Sequence, residues 1–323
     1  MRVASLAVLS LTLASSPVLS QRTARLNPVV DLLAAAKPVF GLYAPANRRA
    51  RPGMPADTTP PKSTAQLASE AMAYPNGDLL FDGSMEGDFD AAFPGFAASM
   101  AALDAAGMTS KGSAPRMPHP VFVKTHKIGE NPAVAVERIG RQLNEGVAGV
   151  VFVEVESAEE LKTGLAAMRF KAKGGTRADG VGAAPARWGM TEAQYRAKAD
   201  LWPLNPSGEL VNWTIVETKA GLAKVREIAA VPGIGALFPG AGSLRGVFTT
   251  TDAAGKRVFD EVAWENAIQQ VLAACKEFKV PCGYPANERD IEKRMQQGFS
   301  VFIIGWGEAG FRAVDIGRKV AGR

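Results

Sequence analysis

The chain has 323 residues, 47% hydrophobic and 21% charged, with a net charge of +5. This composition excludes a disordered polymer, and no Lys/Arg cluster interleaved with aromatics marks a nucleic-acid surface. The length admits one large α/β barrel with insertions as readily as two ordinary domains.

Arg2 is followed by the apolar run VASLAVLSLTLA and then SSPVLSQ. A positive start, an apolar core of about a dozen residues and a small-residue end read as a signal peptide cut after Ser20. The expectation is therefore a signal peptide over 1–20 and one domain over 21–323, secreted or periplasmic, with no membrane association after cleavage. An uncleaved anchor, or a cytoplasmic protein with a misassigned start, is the alternative.

Beyond that run, apolar strand patterns alternate with helical ones. Asn27 caps a short helix over Pro28–Ala36, and the first strand spans Val39–Ala44. A loop rich in Pro, Arg and Thr, from Pro45 to Pro61, reads as a lid or surface insertion before the helix Thr64–Met72. Seven further strands are predicted at Leu79–Asp82, Val121–Lys124, Val150–Glu154, Trp213–Glu217, Ile234–Phe238, Pro281–Tyr284 and Val301–Ile304. Helical patterns at Ala133–Asn144 and Glu261–Phe278 lie between them. Eight apolar strands alternating with helices predict a (β/α)8 TIM barrel. A doubly wound open sheet would carry a glycine fingerprint after its first strand, and Pro45-Ala46-Asn47 stands there instead.

Polar residues end several strands, where a barrel gathers its active site. Asp82, Lys124, Glu154 and Glu217 close strands two to five. Strands four and five lie about 4.8 Å apart, so Glu154 and Glu217 can bring two carboxylates together for Mg²⁺ or Mn²⁺. In the plainer alternative Glu154 and Glu156 alternate at a strand end and pair with Lys or Arg. Only His119 and His126 are present, which excludes a histidine-rich zinc site; His126 is a candidate general base or a solvated loop residue. The GGTRADGVG segment, Gly174–Gly182, lacks the Lys-Ser/Thr ending of a phosphate loop and reads as a loop whose backbone approaches a ligand, or as a flexible connection. The stretch LWPLNPSGELVNW, ending at Trp213, reads as an insertion before strand five that covers the mouth, mediates contacts or is a surface loop. Cys275 and Cys282 match no metal spacing and are expected to be buried free thiols.

Ordered motifs from Asn27 to about Val320 resemble the HpcH/HpaI aldolase/citrate lyase family. They are NPVVDLLAAAKPVFGLY, DLLFDGSMEG, VFVKT, VESAEEL with RADGVGAAPARWG through Arg187-Trp188, and TIVETKAGLAKVREIAAVPGIGALFPGAGSL. The resemblance implies a barrel that cleaves or forms carbon–carbon bonds next to a 2-oxo acid, with an aldehyde as possible second substrate. A divalent metal held by Glu and Asp would stabilise the enolate, beside an oxyanion-binding Arg and a His in proton transfer. It also implies a homo-oligomer, trimer or hexamer, with Gly310–Val320 as a segment for exchange.

Position by position, the metal-binding Glu falls on Glu217, the metal-binding Asp on Ser243, the Arg on Lys124 and the His near Gly87-Asp88. Serine is neutral, and Lys lacks the bidentate fork of Arg. The expectation is a rearranged metal lyase. Lys124, His126 and Asp88 are its catalytic candidates, Lys124, Gly240 and Ser243 its substrate contacts, and Glu217, Glu154 and Glu86 its ligands for Mg²⁺ or Mn²⁺. A metal-free reaction with Lys124 as Schiff-base nucleophile, and a cell-envelope small-molecule binding protein, are the other readings.

Overall fold

Val39 pairs with Val301 and Gly41 with Leu79, so the first strand lies between the last and the second. From there the sheet runs in chain order. The computed structural model describes residues 24–47 and 60–323. The segment read as a signal peptide, and most of the Pro45–Pro61 loop, lie outside the described residues. The strands are β1 (Val39–Tyr43), β2 (Leu79–Asp82), β3 (Val121–Lys124), β4 (Gly149–Phe152), β5 (Leu210–Val216), β6 (Ala236–Pro239), β7 (Gly283–Ala286) and β8 (Val301–Ile304).

All their pairings are parallel. The Leu237↔Cys282 bridge joins β6 to the start of β7, with Leu237 N donating to Pro281 O over 2.9 Å. The barrel thus closes, as the sequence predicts. Strand limits shift by a few residues, because apolar runs do not mark where ladders begin: β5 starts at Leu210, inside the stretch read as an insertion.

Helices begin where short polar side chains cap them. Asn27, Asp88, Asn131, Ser157, Thr218 and Asp260 each accept a first-turn N–H. Ser63 and Gln66 form a reciprocal capping box. Each such cap contributes about 1 kcal/mol. Inside the barrel, Trp213 packs on Phe122 at 4.5 Å and Phe238 at 5.2 Å between ring centroids. Gly149 and Gly283 face these rings: a Cβ on either would come within 2.3 Å of Phe122 or 2.2 Å of Phe238. The interior is a packed core, open only at its mouth.

Three expectations are corrected. The Gly174–Gly182 loop follows a helix and not a strand, so it lies on the face opposite the mouth. There Arg177 donates to Asn144 and Tyr195 at 2.9 Å, and Trp188 Nε1 donates to Gly146 O at 2.8 Å. Gly182, at φ +52°, fits against Asn144, whose carbonyl a Cβ would approach to 2.7 Å. The segment is structural packing and not a ligand loop. The LWPLNPSGEL part of the insertion is on the same face and does not cover the mouth; Asn27 donates to Glu209 O at 2.9 Å, and Glu209 is buried.

The third correction concerns Cys275 and Cys282, which form a disulfide with Cα atoms 5.6 Å apart. It ties the end of the Glu261–Phe278 helix to the start of β7. The closing helix Glu308–Val320 packs on its own barrel, held by Arg318 and Arg323 around Asp78. No helix among the described residues is long and apolar enough to cross a membrane.

Candidate active site

The carboxyl ends of the strands converge on a cavity of about 200 Å³. Its walls are apolar, from Phe81, Val151, Trp213, Ile215, Phe238 and Ile303, and its polar groups are Tyr43, Lys124, Glu217 and Ser243. Alternation puts these side chains there: along a barrel strand every second residue points inward, so Lys124 follows Phe122, and Glu217 follows Trp213 and Ile215.

Glu217 is 4% exposed. Its Oε1 accepts from the backbone N–H of Glu154 at 3.0 Å, and its Oε2 accepts from the Ser243 hydroxyl at 2.6 Å. Gly240 makes room for it, since a Cβ there would lie 2.3 Å from Glu217 Cβ. Glu154 serves through its backbone. It is held at φ +48°, a left-handed conformation that costs a residue with a side chain about 1–2 kcal/mol. The kink aims its N–H at Glu217 and lets Val155 rejoin β5 through Ile215 O at 3.1 Å. Strain of this kind concentrates at functional sites.

Lys124 Nζ lies 2.7 Å from Glu86 Oε2, and its own carbonyl accepts from buried Gln142 at 2.9 Å. Tyr43, at the end of β1, completes the rim. Burial pushes its hydroxyl pKa above the ordinary range, against the opposing Lys124 charge and together with the Glu86 and Glu217 carboxylates. Sequence reasoning passed over Tyr43, although an aromatic residue with a polar tip at a strand's carboxyl end was the available signal.

The other expected site residues stand apart from the cavity. The Glu154 and Glu156 carboxylates both pair with Lys127 at 3.3 Å, the plainer alternative read from sequence. Asp88 is exposed and caps the Phe89–Ala105 helix through Ala91 N at 3.1 Å. His126 is pinned outside the mouth, Nδ1 against Glu86 O and Gly87 O, and Nε2 2.8 Å from Glu130. Burial acts to lower its pKa, but the Glu130 carboxylate and the two carbonyls outweigh it and raise it.

The donor set does not fit the expected Mg²⁺ or Mn²⁺. Such ions need several oxygen ligands, with carboxylate charge to offset their own. Among the described residues Glu217 is the only carboxylate lining the cavity, and both its oxygens already accept hydrogen bonds. Glu86 is paired with Lys124 and Glu154 with Lys127, so the three expected ligands do not converge. Among the described residues no group of three or more His, Cys, Asp or Glu side chains is gathered to hold a metal. Chemically the cavity offers a cation for a carboxylate or enolate, a buried carboxylate to accept a proton, and two hydroxyl donors.

The family model for HpcH/HpaI aldolase/citrate lyase matches residues 116–311. Comparison with curated proteins gave no match. Among solved structures, the chain is similar to an HpcH/HpaI aldolase/citrate lyase family protein from Burkholderia cenocepacia J2315, at 20% identity and TM-score 0.62, covering 92% of this chain and 96% of that one. An HpcH/HpaI aldolase from Desulfitobacterium hafniense DCB-2 gives 16% identity and TM-score 0.58, over 90% and 94%. The CitE protein of Mycobacterium tuberculosis, solved with magnesium and acetate, gives 16% identity and TM-score 0.50, over 88% and 92%. At these identities the likeness to solved structures shows the fold.

Proposed function

This chain belongs to the HpcH/HpaI aldolase/citrate lyase family, and from that premise we propose that it makes or breaks a carbon–carbon bond next to the carbonyl of a 2-oxo acid at its barrel mouth. The observation that carries the reading is the convergence of buried Glu217 and cationic Lys124 on one apolar cavity. Lys124 would hold the substrate carboxylate and the developing enolate oxygen, exchanging Glu86 for the substrate. Glu217, oriented by the Glu154 N–H and Ser243, would take the proton from the carbon next to the carbonyl or from a hydroxyl during cleavage. Tyr43, kept protonated, would donate to the carbonyl oxygen.

No divalent cation enters this reading, because its donor set is missing. A Schiff-base role for Lys124 would first require its ion pair with Glu86 to break. The test is cleavage of 4-hydroxy-2-oxo acids, with pyruvate release followed enzymatically. Release by the wild type and none by Glu217→Gln supports the proposal; equal release by both sinks it.

The Lys124–Glu86 pair also favours a second reading, a cell-envelope binding protein in which a carboxylate ligand displaces Glu86 and no reaction follows. Tight binding of a 2-oxo acid without turnover would identify it. The disulfide and the apolar amino-terminal run support an oxidising compartment for either activity.

A further inference from the structure

We propose that a second cavity beside the mouth receives an unbranched apolar tail of the substrate, making long-chain 2-oxo acids the preferred class. This rests on the reading of the mouth as the seat of the carboxylate head.

The cleft encloses about 680 Å³ between the outer faces of β2 and β3, at Leu80 and Val121, and the helices Thr64–Ala73 and Phe89–Ala105. It is a cleft open to the surface along Ala91 and Gly95, and its volume has the size of a ligand site. Its polarity is graded. Tyr43, Asp82, Ser84 and Glu86 stand at the end near the mouth, where the strands finish. The Phe89–Ala105 helix then runs away from the mouth, and the walls become Ala68, Ala71, Ala92, Phe96, Met100 and Leu103. No Lys or Arg among the described residues lines the cleft. Asp90 of the same helix turns outward to Arg138 and Arg141 at 2.9 Å.

The cleft adjoins the mouth. Tyr43 and Phe81 line both cavities. Gly83 stands at their junction, where a Cβ would lie 3.6 Å from Tyr43 and 3.8 Å from Lys124. A carboxylate at Lys124 therefore lies beside a cleft whose near end carries Asp82, Ser84 and Glu86 and whose far walls are apolar. Ala68, Ala71, Ala92 and Gly95 leave the space between the walls unfilled, and each methylene placed there leaves water.

Calorimetric titration of the full chain with pyruvate, 2-oxobutyrate, 2-oxohexanoate and 2-oxooctanoate tests this. Affinity is expected to rise about fourfold per methylene. Gly95→Leu adds a side chain where a Cβ meets nothing within 4 Å, at the cleft wall. It is expected to remove the gain for 2-oxooctanoate and leave pyruvate binding unchanged. Leucine is the better helix former, so the variant keeps the fold, as a melting curve checks. Pyruvate binding with no gain along the series overturns the inference and leaves the mouth reading standing. Octylamine binding as tightly as 2-oxooctanoate also overturns it, since the tail would then be held without its head. No binding by any 2-oxo acid overturns both.

Discussion

The Ser243 hydroxyl donates to Glu217 Oε2 over 2.6 Å, at the position where the family resemblance leads one to expect a second metal-binding carboxylate. One buried acid thus takes a neutral donor in place of an anionic neighbour. Ser243→Asp would put a second carboxylate beside the first. The expected outcome is a gain of Mn²⁺ binding of at least about tenfold over wild type, read from the spin resonance of free Mn²⁺. Equal, tight Mn²⁺ binding by the wild type would contradict the donor-set argument.

Glu154 gives the site an N–H and not a carboxylate. Glu154→Gly keeps that N–H and relieves the left-handed backbone, so stability in urea should rise by up to about 1 kcal/mol, with substrate binding retained. The lost Lys127 pair is partly exposed, and Lys127 keeps its pair with Glu156. Binding lost in a folded variant would show that the carboxylate has a direct role.

The two histidines should titrate on opposite sides of the ordinary value of about 6.5. Burial lowers the pKa of His119 despite its contact with Gly77 O; His126 is raised by the partners that outweigh its burial. His126 contributes stability that is present below its unfolded pKa and lost as pH rises through its higher folded value. His119 reduces stability as pH falls from the unfolded value toward its folded one. Proton NMR of the imidazole signals checks this, and Glu130→Gln should move the upper midpoint down. Two coincident midpoints would contradict the arrangement.

The barrel was legible because its strands are apolar and alternate with helical patterns, and because Lys124 and Glu217 are polar residues at strand ends. The site was less so. Glu154 also ends a strand, yet its backbone conformation, which no spacing encodes, turns its side chain to Lys127. Asp88 was read as catalytic although an Asp immediately ahead of an apolar helix start is the pattern of a cap. The Gly174–Gly182 loop misled because glycines that fit a helix end look like those that approach a ligand. Only the order strand, helix, loop distinguishes the two faces of a barrel. The cysteines are seven residues apart on two elements, and their proximity follows from closure between β6 and β7.

The disulfide closes a short loop, and the chain-entropy model gives it about 2–3 kcal/mol. Cys275→Ala with Cys282→Ala is expected to lower the urea unfolding free energy by roughly that amount while leaving ligand binding at the opposite end unchanged. No loss would mean that the thiols are not joined in the folded protein.

The proposed chemistry is enolisation of a 2-oxo acid by Glu217 and Lys124 without a divalent cation. Deuterium uptake into the methyl group of pyruvate in D₂O, followed by proton NMR with a chelator present, tests it most directly. The expected result is exchange that the chelator does not alter and that disappears in Glu217→Gln. Exchange that requires added Mg²⁺ or Mn²⁺, or that survives in Glu217→Gln, would contradict it.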